Sequence, residues 1–191
     1  MLRSLLKRSL VASSACLALP LAIASFDGEK VSTARHAICV LYPTDASEVY
    51  GIVSFSQEDM TTPTKVVAGI RGLNPNSNFG LQLLEYGDLT EGSASLGKSF
   101  STPGASSPAS ATPTFYRHSG DLGNVMSDEN GAAYNAFANP YIKLFGENNI
   151  YGRSCGVYSE TNDPITSLNN GSLLSAGVIG KSSTFKNLPP A

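Results

Sequence analysis

Arg117-His118-Ser119-Gly120-Asp121-Leu122-Gly123-Asn124-Val125 sets an imidazole and a carboxylate three positions apart in a glycine-built turn that leads straight into an apolar strand start. Glycine reaches backbone conformations closed to other residues. His118 and Asp121 can therefore turn toward one point and offer zinc a nitrogen and an oxygen. Two ligands do not close a shell. A plainer reading has Asp121 accepting turn amides and His118 packed at a strand edge, and spacing alone favours it.

The flanking chain reads as sheet. Eighteen glycines and eleven prolines are scattered between short apolar runs, and no long helical period survives past residue 26. Ala37-Ile38-Cys39-Val40-Leu41 is a first strand closed by Pro43. Tyr50 to Gln57 alternates, with Val53 and Phe55 against Ser54 and Ser56, and Thr64 to Ile70 repeats the pattern. In a fourth strand, Asn78 to Asp88, Leu81 and Leu83 share one face and Gln82 and Leu84 the other. Asp128-Glu129-Asn130-Gly131 reads as a hairpin turn between a strand ending near Met126 and one over Ala132 to Phe137. Tyr141 to Phe145, Gly152 to Val157 and Ser175 to Gly180 are further strand candidates. Gly97 to Tyr116, rich in Ser, Pro, Ala and Thr, is a loop.

The 191 residues, 41% of them hydrophobic, suffice for one good core and a targeting segment. The net charge is −2 and no basic run follows residue 8, which excludes an electrostatic footprint for nucleic acid. Residues 1–26 carry Arg3, Lys7 and Arg8, an apolar run from Leu10 to Ala24 and small residues at Ala22 to Ser25, the pattern of a secretory signal peptide. Leu2, Leu5, Leu6 and Leu10 on one helical face suit a mitochondrial presequence instead. Only if retained would this segment anchor the chain in a membrane, and Pro20 weakens it as a span. The division is 1–26 targeting segment, 27–36 polar lead-in, 37–180 β domain and 181–191 polar tail.

Cys16 lies in the targeting segment, which leaves Cys39 and Cys155 as a pair on two strands. Buried reduced thiols are the expectation, and no bridge between them follows from the sequence. Asn170-Gly171-Ser172 is a glycosylation acceptor if the chain is secreted. Serines near His118 and Asp121 do not form a hydrolytic triad, since no strand-to-helix nucleophile turn is present.

Taken in order, Leu81 to Asp88, the Gly-Asp-Leu-Gly-Asn-Val run at Gly120 to Val125, Asn149 to Arg153, and Ala176 to Gly180 resemble the copper/zinc superoxide dismutases, from about Ala37 to Gly180. The resemblance implies an all-β fold, an eight-stranded antiparallel Greek-key β-sandwich or flattened barrel in which long loops carry metals. It also implies four copper-binding histidines, since dismutation needs a metal that alternates between oxidation states. Their positions hold Gln82, Leu84, Ser99 and Tyr158, and the chain has two histidines in all, His36 and His118. His36 reads as a surface residue of the lead-in. Of the four zinc positions, His118 and Asp121 match, while Ser99 and Ala109 occupy the others.

The arginine that guides superoxide corresponds to Leu173, and the family's disulfide positions to Ser93 and Ala176. No disulfide is therefore implied. Gly120, Gly123 and Arg153 are retained as supports of the fold. The leading expectation is a catalytically inactive domain, a pseudoenzyme acting as a binding or structural protein, with a protein partner or a homodimer through a sheet face. No cofactor is expected beyond weak zinc. The alternative is a metalloenzyme or metal carrier around His118, Asp121, Glu85 and Tyr158. Secretion, with the mitochondrion as the alternative, predicts that the N-terminus of the purified native protein lies soon after Ala24; finding Met1 or Leu2 there by terminal sequencing would favour a retained anchor.

Overall fold

Alternating strands bury one face only if a second layer covers it, and here the sheet supplies that layer by curling on itself. The structure, a computed structural model, describes residues 34–102, 119–163, 169 and 171–188. Eight strands are present: β1 (Arg35–Pro43), β2 (Tyr50–Gln57), β3 (Thr64–Arg71), β4 (Asn78–Leu84), β5 (Asp121–Met126), β6 (Ala133–Asn139), β7 (Ser154–Tyr158) and β8 (Leu173–Ser182). They form one antiparallel sheet in the order β5-β4-β7-β8-β1-β2-β3-β6. Its two end strands, β5 and β6, flank a single cleft lined by Asp121 to Asn124 and by Asn135 to Tyr141. The barrel is nearly closed, with the remaining gap at that seam.

Inward positions meet in one core. Ala37, Cys39 and Leu41 of β1, Val53 and Phe55 of β2, Val66, Ala68 and Ile70 of β3 and Leu81 and Leu83 of β4 all belong to it. Burying each large apolar side chain of this kind is worth about 1.5–3 kcal/mol. The turn-forming Gly131 has φ of 71° and receives the Leu73 amide on its carbonyl at 3.0 Å, which pins the β5–β6 connection against the loop after β3.

The observed strands differ from the sequence reading in four ways, the first being that β4 ends at Leu84 and not at Asp88. β1 starts at Arg35 and β8 runs to Ser182, so His36 is a strand residue and Lys181 and Ser182 are not tail. Asp128 to Gly131 does form a tight turn, with Asp128 Oδ1 accepting from the Asn130 and Ala132 amides at 2.8 and 2.9 Å. It is not a hairpin turn, because β5 pairs with β4 and β6 with β3.

Tyr141 to Phe145, finally, is not a strand. Its alternation is real, since Ile142 and Leu144 are fully buried in the core. Side chains instead of a ladder satisfy its backbone: Asn139 Oδ1 accepts from the Tyr141 and Ile142 amides, Thr64 Oγ1 donates to Ile142 O, and Gln57 Oε1 accepts from Leu144 N at 2.7 Å. The targeting segment, most of the lead-in, Ala109, His118 and Asn170 lie outside the described residues.

Gln57 also donates to Thr62 O at 2.8 Å, so one buried amide closes two loops. Replacing it (Gln57→Ala) leaves the buried Leu144 amide without an acceptor and should cost about 2 kcal/mol. The expected reading is a lower urea midpoint at unchanged slope.

Candidate metal centre

β4 is buried on both faces. Leu81 and Leu83 enter the main core, while Gln82 and Leu84 on the opposite face are buried as well. What covers Leu84 is hydrocarbon: it clusters with Leu96 and Ala176, and Tyr158 and Leu173 pack against the group. A methyl group placed on Gly156 would lie 2.8 Å from Leu173 Cδ1, 3.2 Å from Tyr158 Cε2 and 3.3 Å from Leu84 Cδ1. The three side chains thus converge over that glycine. Ser99 forms an isolated bridge with Leu84, and its Oγ is buried without a partner. Burial raises the Tyr158 phenol above its ordinary range, so it stays a protonated, neutral group at neutral pH.

Asp121 opens β5 and is buried. Its Oδ1 accepts from the Gly123 amide at 2.8 Å and from Asn162 Nδ2 at 2.8 Å. Asn162, itself buried, lies between strands and loop: Nδ2 also reaches Leu81 O and Gly123 O at 3.1 Å, its amide donates to Asn124 Oδ1 at 2.8 Å, and its Oδ1 accepts from Asn169 Nδ2 at 3.0 Å. The sequence reading missed Asn162. Nothing in Thr161-Asn162-Asp163 separates it from any polar loop residue.

The two glycines of the opening stretch act differently. Gly120 is wedged between Leu83 and Phe100, donating to Phe100 O and accepting from Leu83 N at 2.7 Å each; a methyl there would meet Leu83 O at 2.6 Å. Gly123, with φ of 85°, carries a bulge: Gly80 faces Asn124 and Gln82 faces Asp121, so two β5 residues oppose one of β4. Arg153 lies over the Phe100 ring at 3.8 Å and donates to Asn149 O and Glu85 O at 3.2 and 2.9 Å. Burial lowers its guanidinium pKa, though a charge persists at any physiological pH.

Glu85 Oε2 accepts from the Lys98 amide at 3.4 Å, while Tyr158 packs in the apolar cluster. Among the described residues no three His, Cys, Asp or Glu side chains converge on one point. Cys39 and Cys155 are free and buried. Cys39 Sγ donates to Gly177 O at 3.1 Å, and burial, then the Cys39 thiol beside it, pushes the Cys155 thiol up.

The family model for copper/zinc superoxide dismutase (SODC) matches residues 49–179. The chain belongs to that family. The Saccharomyces cerevisiae superoxide dismutase (Cu-Zn) is 36% identical over 140 residues, covering 69% of this chain and 90% of the relative. The proteins of that name from Cryptococcus neoformans and Candida albicans are 33% identical over 142 residues and 38% over 117, covering 70% and 61% of this chain and 91% and 75% of theirs. The family binds copper and zinc. An apolar cluster with one neutral phenol does not fit a redox copper ion, which takes imidazole, thiolate or thioether donors. The described zinc positions, Ser99 and Asp121, offer one hydroxyl and one carboxylate, and that carboxylate already binds Asn162.

Asn162 ties the loop after β7 to β4 and β5. Asn162→Ala should therefore lower stability by about 2–3 kcal/mol, measured by urea unfolding, because Leu81 O and Asp121 lose a buried donor.

Proposed function

We propose that this chain is a non-catalytic member of the copper/zinc superoxide dismutase family, an exported domain that serves as a binding or structural protein. The observation that carries the reading is the cluster of Leu84, Leu96, Tyr158, Leu173 and Ala176, in which Leu84 and Tyr158 stand where the sequence resemblance implies copper ligands, Leu173 where it implies the guiding arginine and Ala176 where it implies a disulfide partner. Superoxide dismutation passes an electron to one superoxide and takes it from another, so the carrier must be a redox metal. Zinc has no accessible redox change. Two histidines in the whole chain cannot assemble a four-histidine cage under any alignment.

The relatives bear the name of the active enzyme, and that name describes them. Here the loss of donors is accompanied by apolar replacements that pack together, which fits selection for stability. Val40, Tyr42, Tyr50 and Val178 are exposed apolar side chains on the outside of the sheet, a surface suited to a protein partner or a second copy. Zinc at His118 and Asp121 would be weak, since it must compete with Asn162 for the carboxylate.

The test is turnover by the purified chain after copper and zinc are supplied. Activity should not exceed the metal-free background, and His118→Ala should change nothing. Turnover stoichiometric with bound copper and lost on chelation would overturn the reading.

A further inference from the structure

We propose that the end of the barrel where β1 begins and β8 finishes binds a tetrahedral oxyanion of the phosphate or sulfate class, with Arg35 and Lys181 as its main donors. β1 and β8 are antiparallel neighbours, with Ala37 opposite Lys181 and His36 opposite Ser182. Strand alternation puts Arg35 on the face of Ala37 and Lys181 on the face of Ile179, both core-side positions. The strands outrun the core here, and the two cations meet the β6–β7 connection instead. Between them lies a cavity of about 490 Å³ lined by Arg35, His36, Asn149, Tyr151, Lys181 and Ser183, among others.

Arg35 is held in place, and Lys181 extends over a ring nearby. Arg35 donates through Nη1 to Leu144 O at 3.0 Å and stacks on Phe145 at 4.2 Å from the ring centroid, which spends one of its five N–H groups and leaves the rest of the fork available. Lys181 Nζ sits 5.8 Å from the Tyr151 ring centroid, and that tyrosine is itself tied to β1 by its hydroxyl on His36 O at 3.2 Å.

No carboxylate among the described residues lines the cavity. Among the described residues neither Arg35 nor Lys181 has an acidic partner; the ion pair found there joins Lys65 and Glu58. The chain as a whole is acidic, at −2, so this concentration of positive charge is local. Two cations around one cavity suit an anion of two charges whose acceptor oxygens point in several directions. A carboxylate presents one charge and two oxygens in one plane, and fills fewer of these donors.

Calorimetric titration of the full chain with inorganic phosphate, repeated with sulfate and acetate at matched ionic strength, tests the assignment. One saturable site should appear for phosphate and for sulfate, with acetate at least about tenfold weaker. Lys181→Gln, an exposed change outside the core, should weaken phosphate about tenfold, the loss of one charge-assisted hydrogen bond. Arg35→Gln should weaken it at least as much, with the melting temperature recorded because Arg35 also holds Leu144. Absence of saturable binding, acetate binding as tightly as phosphate, or unchanged affinity in Lys181→Gln would overturn the proposal.

Discussion

The rest of the molecule depends on β4 being covered on both sides. A strand in a half-solvated sheet needs only one apolar face. Here Leu81 and Leu83 fill the barrel while Gln82 and Leu84 must be shielded by the segments that cross outside it. Leu96 comes from the loop after β4, Leu173 and Ala176 from β8 and Tyr158 from the end of β7. One cluster thus joins the loop after β4 to three neighbouring strands, β4, β7 and β8. The Asn162 amide does the same in polar terms, binding the loop after β7 to the carbonyl of Leu81 and the carboxylate of Asp121.

How much of this was legible in the chain depended on how local each cause is. The alternation of β2, β3 and β4 is written in adjacent residues, and the observed strands begin or end close to where that alternation does. Gly123 was visible as a residue with an unusual backbone, though it sits inside β5 and carries a bulge where the sequence suggested a turn. Asp128 to Gly131 shows the limit: its turn chemistry is local and legible, whereas the partners of the strands it joins are chosen by the whole sheet. Tyr141 to Phe145 has the pattern of a strand and no neighbour to pair with. Its backbone is satisfied by Gln57 and Thr64, whose distance along the chain hides them from any local reading.

The sequence reading of the site worked by subtraction: one by one, Gln82, Leu84, Ser99 and Tyr158 lack the imidazole that a redox copper takes. That Leu84, Tyr158 and Leu173 would close over Gly156 could not be read in this way, because contact between segments so far apart in sequence is a property of the fold. Asn162 was invisible for a related reason: an asparagine in a polar loop gains its role only when buried against acceptors from other strands.

On the proposed reading, hydrocarbon in place of metal ligands also alters how the protein comes into being. A fold whose loops are fastened by a bound ion matures in two stages, since the chain must first collapse and then await a delivered metal. Where Leu84, Leu96 and Leu173 do the fastening, the fastener is made on the ribosome with everything else. A chain of the proposed kind would reach its finished form wherever it is made, whether or not copper is in supply.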